Sequence, residues 1–162
     1  MAATKGIYGR LSSAARPPRP GSPAFKAWTL LTKANILAYR LSGGRVGGSM
    51  DGAPVLLLHH VGRRSGSARV APLLYLPDGD DLVIVASYGG APKSPAWFHN
   101  LRANPTTVVE VGRETRPVIA REATAAERER LWPALVELYP AYGDYQARTE
   151  RQIPLVVLQA RD

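Results

Sequence analysis

The sequence predicts a small β-barrel with helical decorations, a mainly β fold of the α+β class. Six short runs of strand-forming residues are interspersed with helical patterns, and the first three, residues 54–61, 69–76 and 82–87, are apolar on both faces. Such strands indicate a closed or two-sided sheet, and their order does not follow a βαβ succession. With 162 residues, 45% of them hydrophobic, we expect a single domain over residues 22–162.

The N-terminal part of the chain is strongly basic. Residues 1–50 contain eight Lys or Arg and no acid, whereas residues 51–162 contain 13 bases and 13 acids, so the net charge of +8 belongs to the N-terminal part. Residues 1–21 are rich in Arg, Ser, Pro and Gly and lack apolar periodicity, which predicts a flexible basic tail. An excess of this kind is typical of a segment that meets an anionic partner.

The next segment, residues 22–41, has the pattern of an amphipathic helix. Ser22 can cap it, Pro23 suits its first turn, and Lys26, Lys33 and Arg40 form one basic stripe. Its apolar face consists of Ala27, Leu30, Leu31, Ala34, Leu37, Ala38 and Leu41. The favoured expectation is that this face packs on the domain with the lysines in water. Contact with an anionic membrane surface is the alternative.

The remaining elements follow from local signals. Pro77-Asp78-Gly79 predicts the turn between the second and third strands. Ser94 and Pro95 predict the cap and first turn of a helix that stops at Asn104-Pro105, and Thr124 to Glu127 form a capping box for a helix through Leu138. The last three strands are expected at residues 106–112, 115–121 and 153–159.

Two loops are candidate anion sites. Gly62-Arg63-Arg64-Ser65-Gly66, with Arg69 close behind, lies between two strands and combines free backbone N–H groups with guanidinium forks. A solvated hairpin turn explains the same pattern equally well. Residues 87–95 run from a strand through Gly89-Gly90 to a helix N-terminus beside Lys93, which favours anion binding, although the spacing is not that of a P-loop.

A third candidate is the tyrosine group Tyr139, Tyr142 and Tyr145. Three rings at this spacing crowd one side of a helical or turn-like segment and can form the wall of an aromatic pocket. A satellite of the hydrophobic core accounts for them equally well.

Several kinds of site are excluded. The chain has no cysteine, and the adjacent His59 and His60 point to opposite faces of a strand, so we expect no metal site. His99 has no partner one helical turn away, and no nucleophile elbow indicates a hydrolase. The remaining candidate is a pocket for a polyanion with an aromatic lining, in which a cofactor supplies the chemistry.

Three stretches of sequence resemble a known family. They are GRRSG with the following Arg and Pro, the run ASYGGAPKSPAWFHNLRANP, and the C-terminal run from ATAAERERLW to RQIPLVVL. Together they cover about residues 54–160 and resemble the deazaflavin-dependent nitroreductase and quinone reductase family, which uses coenzyme F-420. The resemblance implies a split β-barrel related to flavin-mononucleotide-binding oxidases.

The resemblance also implies a set of site residues. Arg63, Arg64, Ser65 and Arg69 would hold the cofactor's phosphate and acidic tail, whereas a second set would border or meet the deazaflavin: Pro72, Leu74, Ala86, Ser87, Tyr88, Gly89, Gly90, Lys93, Ala96, Trp97 and Asn100. Tyr139, Tyr142 and Tyr145 would wall the acceptor pocket, with Tyr142 first and Ser87 second as the group that donates a hydrogen bond or proton; protonation from solvent is the alternative.

The implied activity is hydride transfer from reduced coenzyme F-420 to a quinone, nitroaromatic or activated-enone acceptor, without a metal. We expect a cytoplasmic enzyme, peripheral to the inner membrane face if residues 22–41 meet lipid, and no nucleic-acid partner, because residues 51–162 carry no net charge. Two positions depart from the pattern of the family. Tyr88 stands where a nitroreductase of the family has lysine, and His59-His60 replaces a hydroxyl-rich pair. The alternatives are a flavin mononucleotide enzyme of the same barrel class, a basic membrane- or nucleic-acid-binding protein, and a cofactor carrier.

Overall fold

An antiparallel sheet of eight strands forms the body of the computed structural model, which describes residues 18–161. The strands are β1 (Ser49–Met50), β2 (Ala53–Val61), β3 (Ala68–Leu74), β4 (Leu76–Asp78), β5 (Asp81–Val85), β6 (Thr106–Val111), β7 (Glu114–Glu122) and β8 (Leu155–Ala160). The helices are α1 (Pro23–Ser42), α2 (Ala96–Ala103), α3 (Ala125–Leu138) and α4 (Ala141–Ala147). Residues 1–17 of the predicted tail lie outside the residues that the structure describes.

The sheet curls because its two ends are joined by the chain. The strand order is β1-β2-β6-β7-β8-β5-β4, and β3 pairs with β2. Only Tyr75 separates β3 from β4, which pairs with β5 at the other end of the order. This closure confirms the predicted split β-barrel. The expectation of one strand over residues 69–76 is wrong, because the chain bends at Tyr75 to leave β2 and join β5.

Both faces of the sheet are covered, as the apolar strands predict. Within β2, Val55 and Leu57 belong to one core cluster, which also contains residues of α3 and α4. Leu56 and Leu58 belong to a second cluster with Trp97 of α2. Because successive side chains of a strand point to opposite faces, each face of β2 contributes to a different core.

The orientation of α1 differs from the expectation. Ser22 caps the helix through a hydrogen bond from the Phe25 N–H to its hydroxyl, 3.1 Å long, as predicted. The leucines of the predicted apolar face, however, are exposed to solvent: Leu30 by 70%, Leu31 by 51%, Leu37 by 58% and Leu41 by 76%. The prediction that this face packs on the domain is therefore wrong.

The opposite face of α1 packs instead, and Tyr39 explains why. Its side chain is 1% exposed, and its hydroxyl lies 3.1 Å from the Val55 carbonyl and accepts a 2.8 Å hydrogen bond from the Gly112 N–H. Arg40 adds an ion pair with Glu110 of β6, 2.6 Å between Nη2 and Oε1. Leaving these buried backbone groups unpaired would cost about 1–3 kcal/mol each, which favours the observed orientation.

Of the two caps predicted for α2 and α3, one is correct and one is wrong. Thr124 and Glu127 form the predicted capping box at the start of α3, because each side chain accepts a hydrogen bond from the other residue's N–H. In contrast, Ser94 does not cap α2, which begins at Ala96 after Pro95. The Ser94 hydroxyl accepts a hydrogen bond from Arg151 instead, at 3.2 Å. None of the helices within residues 18–161 combines the length and apolarity needed to cross a membrane.

Candidate cofactor and acceptor site

The loop between β2 and β3, residues 62–67, is an ordered turn that leaves its basic side chains in solvent. The Gly62 N–H donates to the Ser67 carbonyl at 2.9 Å, and the Ser67 N–H donates to the Ser65 hydroxyl at 3.2 Å. The four side chains assigned to the cofactor's phosphate and tail are all exposed: Arg63, Arg64, Ser65 and Arg69. None of the three arginines takes part in the ion pairs found among residues 18–161.

This anion loop (residues 62–67) is held from beneath by Asn100 of α2. Asn100 is 5% exposed; its amide oxygen accepts a 3.0 Å hydrogen bond from the Arg63 N–H, and its amide nitrogen lies 3.0 Å from His60 Nδ1. Both polar groups of Asn100 are thus committed to the protein. A cofactor contact through its side chain remains a prediction, whereas its hydrogen bonds show that it orders the loop.

The charges at this end of the molecule are positive, and they affect the two neighbouring histidines. Burial, followed by the charges of Arg69 and His59, lowers the pKa of His60 to about 4. Burial also lowers the pKa of His99, with Arg63 and Arg102 contributing. Neutral His60 can therefore accept the Asn100 hydrogen bond, and the arginines create a positive field that phosphate or carboxylate groups would neutralise.

The second loop, residues 86–94, follows β5 and leads into α2; we call it the ring loop. Tyr88, Gly89 and Gly90 form a short helical turn in which all three have positive φ, 45°, 62° and 75°. A Cβ at Gly90 would lie 2.5 Å from the Tyr145 carbonyl oxygen, so only glycine permits α4 to pack here. The ring loop is therefore in direct contact with α4, which we call the tyrosine helix because it carries Tyr142 and Tyr145.

The other residues assigned to the ring differ in exposure. Tyr88, Lys93 and Ala96 are exposed, whereas Pro72, Ser87 and Gly89 are half-buried. Four more are buried in the described residues: Leu74, Ala86, Gly90 and Trp97. Trp97 packs edge-on against Phe98 in a core cluster, with ring centroids 6.4 Å apart. These placements leave the assigned cofactor contacts as predictions.

The three tyrosines form one buried aromatic group, as their spacing predicts. The ring centroids of Tyr139 and Tyr142 are 5.0 Å apart, and Tyr145 lies 6.4 Å and 6.3 Å from them. All three rings are buried members of the same core cluster, so the surface they offer to an acceptor is small. Burial, and then the neighbouring tyrosines, raise the pKa of Tyr142 well above the usual range of a phenol.

A separate cavity of about 480 Å³ lies beside the start of α3. Its lining includes Thr124, Arg128, Trp132 and Leu155 but none of the predicted site residues. Among residues 18–161 there is no group of three or more acidic or histidine side chains placed to hold a metal ion. The candidate site is therefore defined by the two loops and the tyrosine helix rather than by this cavity.

Sequence reasoning missed three residues that support the site. His60 holds Asn100, Arg151 binds the ring loop, and Gln146 of α4 binds the segment that carries Arg151. Each acts through a contact between distant parts of the chain. A local pattern carries no signal for such contacts, although the adjacent histidines correctly indicated two opposite faces of β2.

The fold and these loops define the class: a split β-barrel protein with an anion loop and a ring loop at one end of the sheet. A family model described as F420H(2)-dependent quinone reductase matches residues 31–160. The chain belongs to this family.

Known relatives agree with this assignment. The chain is 43% identical over 135 residues to the F420H(2)-dependent quinone reductase Rv1261c of Mycobacterium tuberculosis, covering 81% of this chain and 91% of that protein. A solved F420-H2 dependent reductase, FDR-A, is 40% identical with a TM-score of 0.61, covering 65% of this chain and 94% of its own. A solved structure described as a domain-swapped dimer is 35% identical with a TM-score of 0.63, and the match covers 85% of this chain and 100% of that one.

The buried histidine beneath the anion loop should make stability depend on pH. Because the pKa of His60 falls from 6.5 unfolded to about 4 folded, the unfolded chain binds the proton more readily between these values. His60 therefore favours unfolding progressively as the pH falls from 6.5 to 4. His60→Gln removes the ionisable ring and keeps an acceptor for Asn100, so its unfolding free energy should fall less over this interval. Urea titrations at pH 7, 5.5 and 4.5 measure the unfolding free energy of both proteins. An equal fall of this free energy with pH in the wild type and the variant would contradict the lowered pKa of His60.

Proposed function

We propose that this chain catalyses the reduction of quinones by reduced coenzyme F-420, with nitroaromatics and activated enones as further acceptors. One structural observation carries the proposal beyond family membership. Helix α2 follows the ring loop, and its Asn100 accepts a hydrogen bond from the Arg63 N–H, so α2 connects the ring loop to the anion loop. A cofactor with a flat ring at one end and a phosphate with glutamates at the other matches this pair of loops.

The residues present fit such a cofactor. Arg63, Arg64 and Arg69 offer exposed guanidinium groups without ion-pair partners among the described residues, and Ser65 stands between them. Guanidinium groups bind phosphate and carboxylate through paired hydrogen bonds. The ring loop and its neighbours would border the deazaflavin. When bound, the reduced cofactor supplies a hydride to the acceptor.

The chain's own part in the chemistry is to stabilise the charge that develops on the acceptor. Because its pKa is raised, Tyr142 stays protonated at ordinary pH and is suited to donate a hydrogen bond rather than to release a proton. Ser87, half-buried at the start of the ring loop, is the second candidate donor. The proton consumed in the reduction then comes from solvent.

The first test is a fluorescence-quenching titration of the purified chain with oxidised coenzyme F-420, beside flavin mononucleotide. We expect salt-sensitive binding of the deazaflavin, and Arg64→Ala should weaken it roughly 10-fold because a charge-assisted hydrogen bond is lost. Arg116→Ala is the matched control, since it removes the same charge from an exposed ion pair with Glu114 on β7. Its affinity should equal that of the wild type.

Preference for flavin mononucleotide would instead indicate a flavin mononucleotide enzyme of the same barrel class. Binding of neither cofactor would overturn the proposal and favour a basic binding protein. Binding of coenzyme F-420 without turnover of any quinone would indicate a carrier of the cofactor.

Replacing Tyr142 separates its chemical role from binding. In Tyr142→Phe we expect kcat for a quinone to fall by roughly 100-fold, as when one donor to a developing anion is removed, with the KM for reduced cofactor unchanged. Wild-type kcat should show no loss from tyrosine ionisation up to pH 10, because the raised pKa keeps the hydroxyl protonated. An unchanged kcat in the variant would leave Ser87 or water as the donor.

We also propose that α1 meets an anionic membrane surface. Its four exposed leucines lie beside Lys26 and Lys33, which are also exposed, and no acid occurs in residues 1–50. This combination of apolar area and positive charge suits the interface of an anionic bilayer, where a lipid-soluble quinone is dissolved. Such a contact is compatible with a cytoplasmic enzyme at the inner face of the membrane.

Sedimentation with vesicles tests this contact. The full chain should bind vesicles that contain phosphatidylglycerol and not pure phosphatidylcholine, and Leu30→Glu with Leu37→Glu should abolish binding. Ile119→Glu is the control, because Ile119 is 39% exposed on β7 and not on α1. Failure to bind, together with a dimer that the double variant dissociates, would assign the leucine face to a second copy of the chain.

A further inference from the structure

Arg151 lies between α4 and β8, outside every predicted site, and makes an unusual set of contacts. Its guanidinium donates four hydrogen bonds to the ring loop: Nε to the Ala91 carbonyl at 2.8 Å, Nη1 to the Ser94 hydroxyl at 3.2 Å, and Nη2 to the carbonyls of Ser87 at 2.9 Å and Ala86 at 3.2 Å. All four acceptors are neutral oxygen atoms. The charge is therefore directed at the loop rather than cancelled by a carboxylate in these contacts.

These acceptors come from both ends of the ring loop. Ala86 and Ser87 precede its helical turn, whereas Ala91 and Ser94 follow it. A planar guanidinium with five N–H donors can bridge both ends at once. The turn itself contains Tyr88 with a φ of 45°, a conformation that costs free energy in a residue other than glycine. Such a backbone persists only where surrounding contacts determine it.

The segment that carries Arg151 is in turn attached to the tyrosine helix. Gln146 of α4 donates a 2.8 Å hydrogen bond to the Arg151 carbonyl and accepts a 2.9 Å hydrogen bond from the Ile153 N–H. The same helix carries Tyr142 and Tyr145. Arg151 therefore stands between the loop that would border the cofactor ring and the helix that would wall the acceptor pocket.

We propose that Arg151 is a positioning residue that holds the ring loop against α4 and so sets the distance between the cofactor ring and the acceptor. It touches neither reactant. The inference rests on the proposed function for its catalytic consequence, but the restraint on the loop is a property of the cofactor-free chain. Because hydride transfer is sensitive to a displacement of about 1 Å, loosening this restraint should affect the chemical step more than binding.

The decisive variant is Arg151→Lys, which keeps the positive charge but cannot span both ends of the loop with one ammonium group. Hydrogen exchange in the cofactor-free protein should become at least about 10-fold faster at residues 86–94, with the amides of β2 and β6 unchanged. Ser94→Ala, which removes one acceptor only, should give a smaller change in the same amides. Arg130→Lys, in an exposed ion pair with Asp78, is the control.

The kinetic readout distinguishes positioning from simple support of the fold. In Arg151→Lys we expect kcat, normalised to cofactor-binding stoichiometry, to fall by about 100-fold while the KM for reduced cofactor changes by less than about 3-fold. Arg64→Ala should show the reverse pattern, a raised KM with a kcat close to wild type. This crossed pattern would not arise from a general loss of stability.

Two results would overturn the inference: exchange and kcat unchanged in Arg151→Lys, or exchange accelerated across the whole sheet, which would make Arg151 a general structural residue. A wild-type chain that fails to bind or use coenzyme F-420 would overturn the proposed function instead. The exchange experiment needs no cofactor, so it decides the restraint on the loop in either case.

Discussion

The hydrogen bonds of one buried amide, Asn100, attach the anion loop to α2, the helix that follows the ring loop in the chain. Asn100 lies in α2, immediately after the ring loop, and binds the anion loop through the Arg63 N–H. A buried amide left without partners would cost about 1–3 kcal/mol, so the position of the anion loop is linked to that of α2. His60 completes the arrangement, because burial keeps its ring neutral and able to accept from the amide.

The two-sided sheet explains why the loops of the candidate site lie at the ends of strands. Because both faces of β2 are buried, one face must be covered by α2 and the other by α3 and α4. The basic side chains then have no place within the cores and gather on the connecting loops, where solvent or an anionic ligand can neutralise them. The same covering helices bring Asn100 to one loop and Tyr142 and Tyr145 to the other side of the site.

Much of this architecture could be predicted from local patterns. The β runs other than residues 69–76, the Thr124 capping box and the glycine-rich loops depend on residues close in sequence, and the structure confirms them. The bend at Tyr75, the loss of the Ser94 cap and the roles of Asn100 and Arg151 depend on contacts between distant segments. Ser94, for example, has the right spacing for a cap, but its hydroxyl binds a guanidinium 57 residues away. A pattern of neighbouring residues cannot show that a distant side chain competes for this hydroxyl.

The orientation of α1 shows the same limit in energetic terms. The helix has two faces that can pack: the leucine face, and an opposite face with Trp28, Ile36 and Tyr39, all partly or fully buried. Area alone favours burying the leucines, at about 1.5–3 kcal/mol for each fully buried side chain. Tyr39 reverses the choice, because its hydroxyl pairs with backbone groups of β2 and of the turn after β6, and Arg40 pairs with Glu110. The helix thus satisfies buried polar groups and leaves its leucines exposed, on the face where we propose contact with an anionic surface.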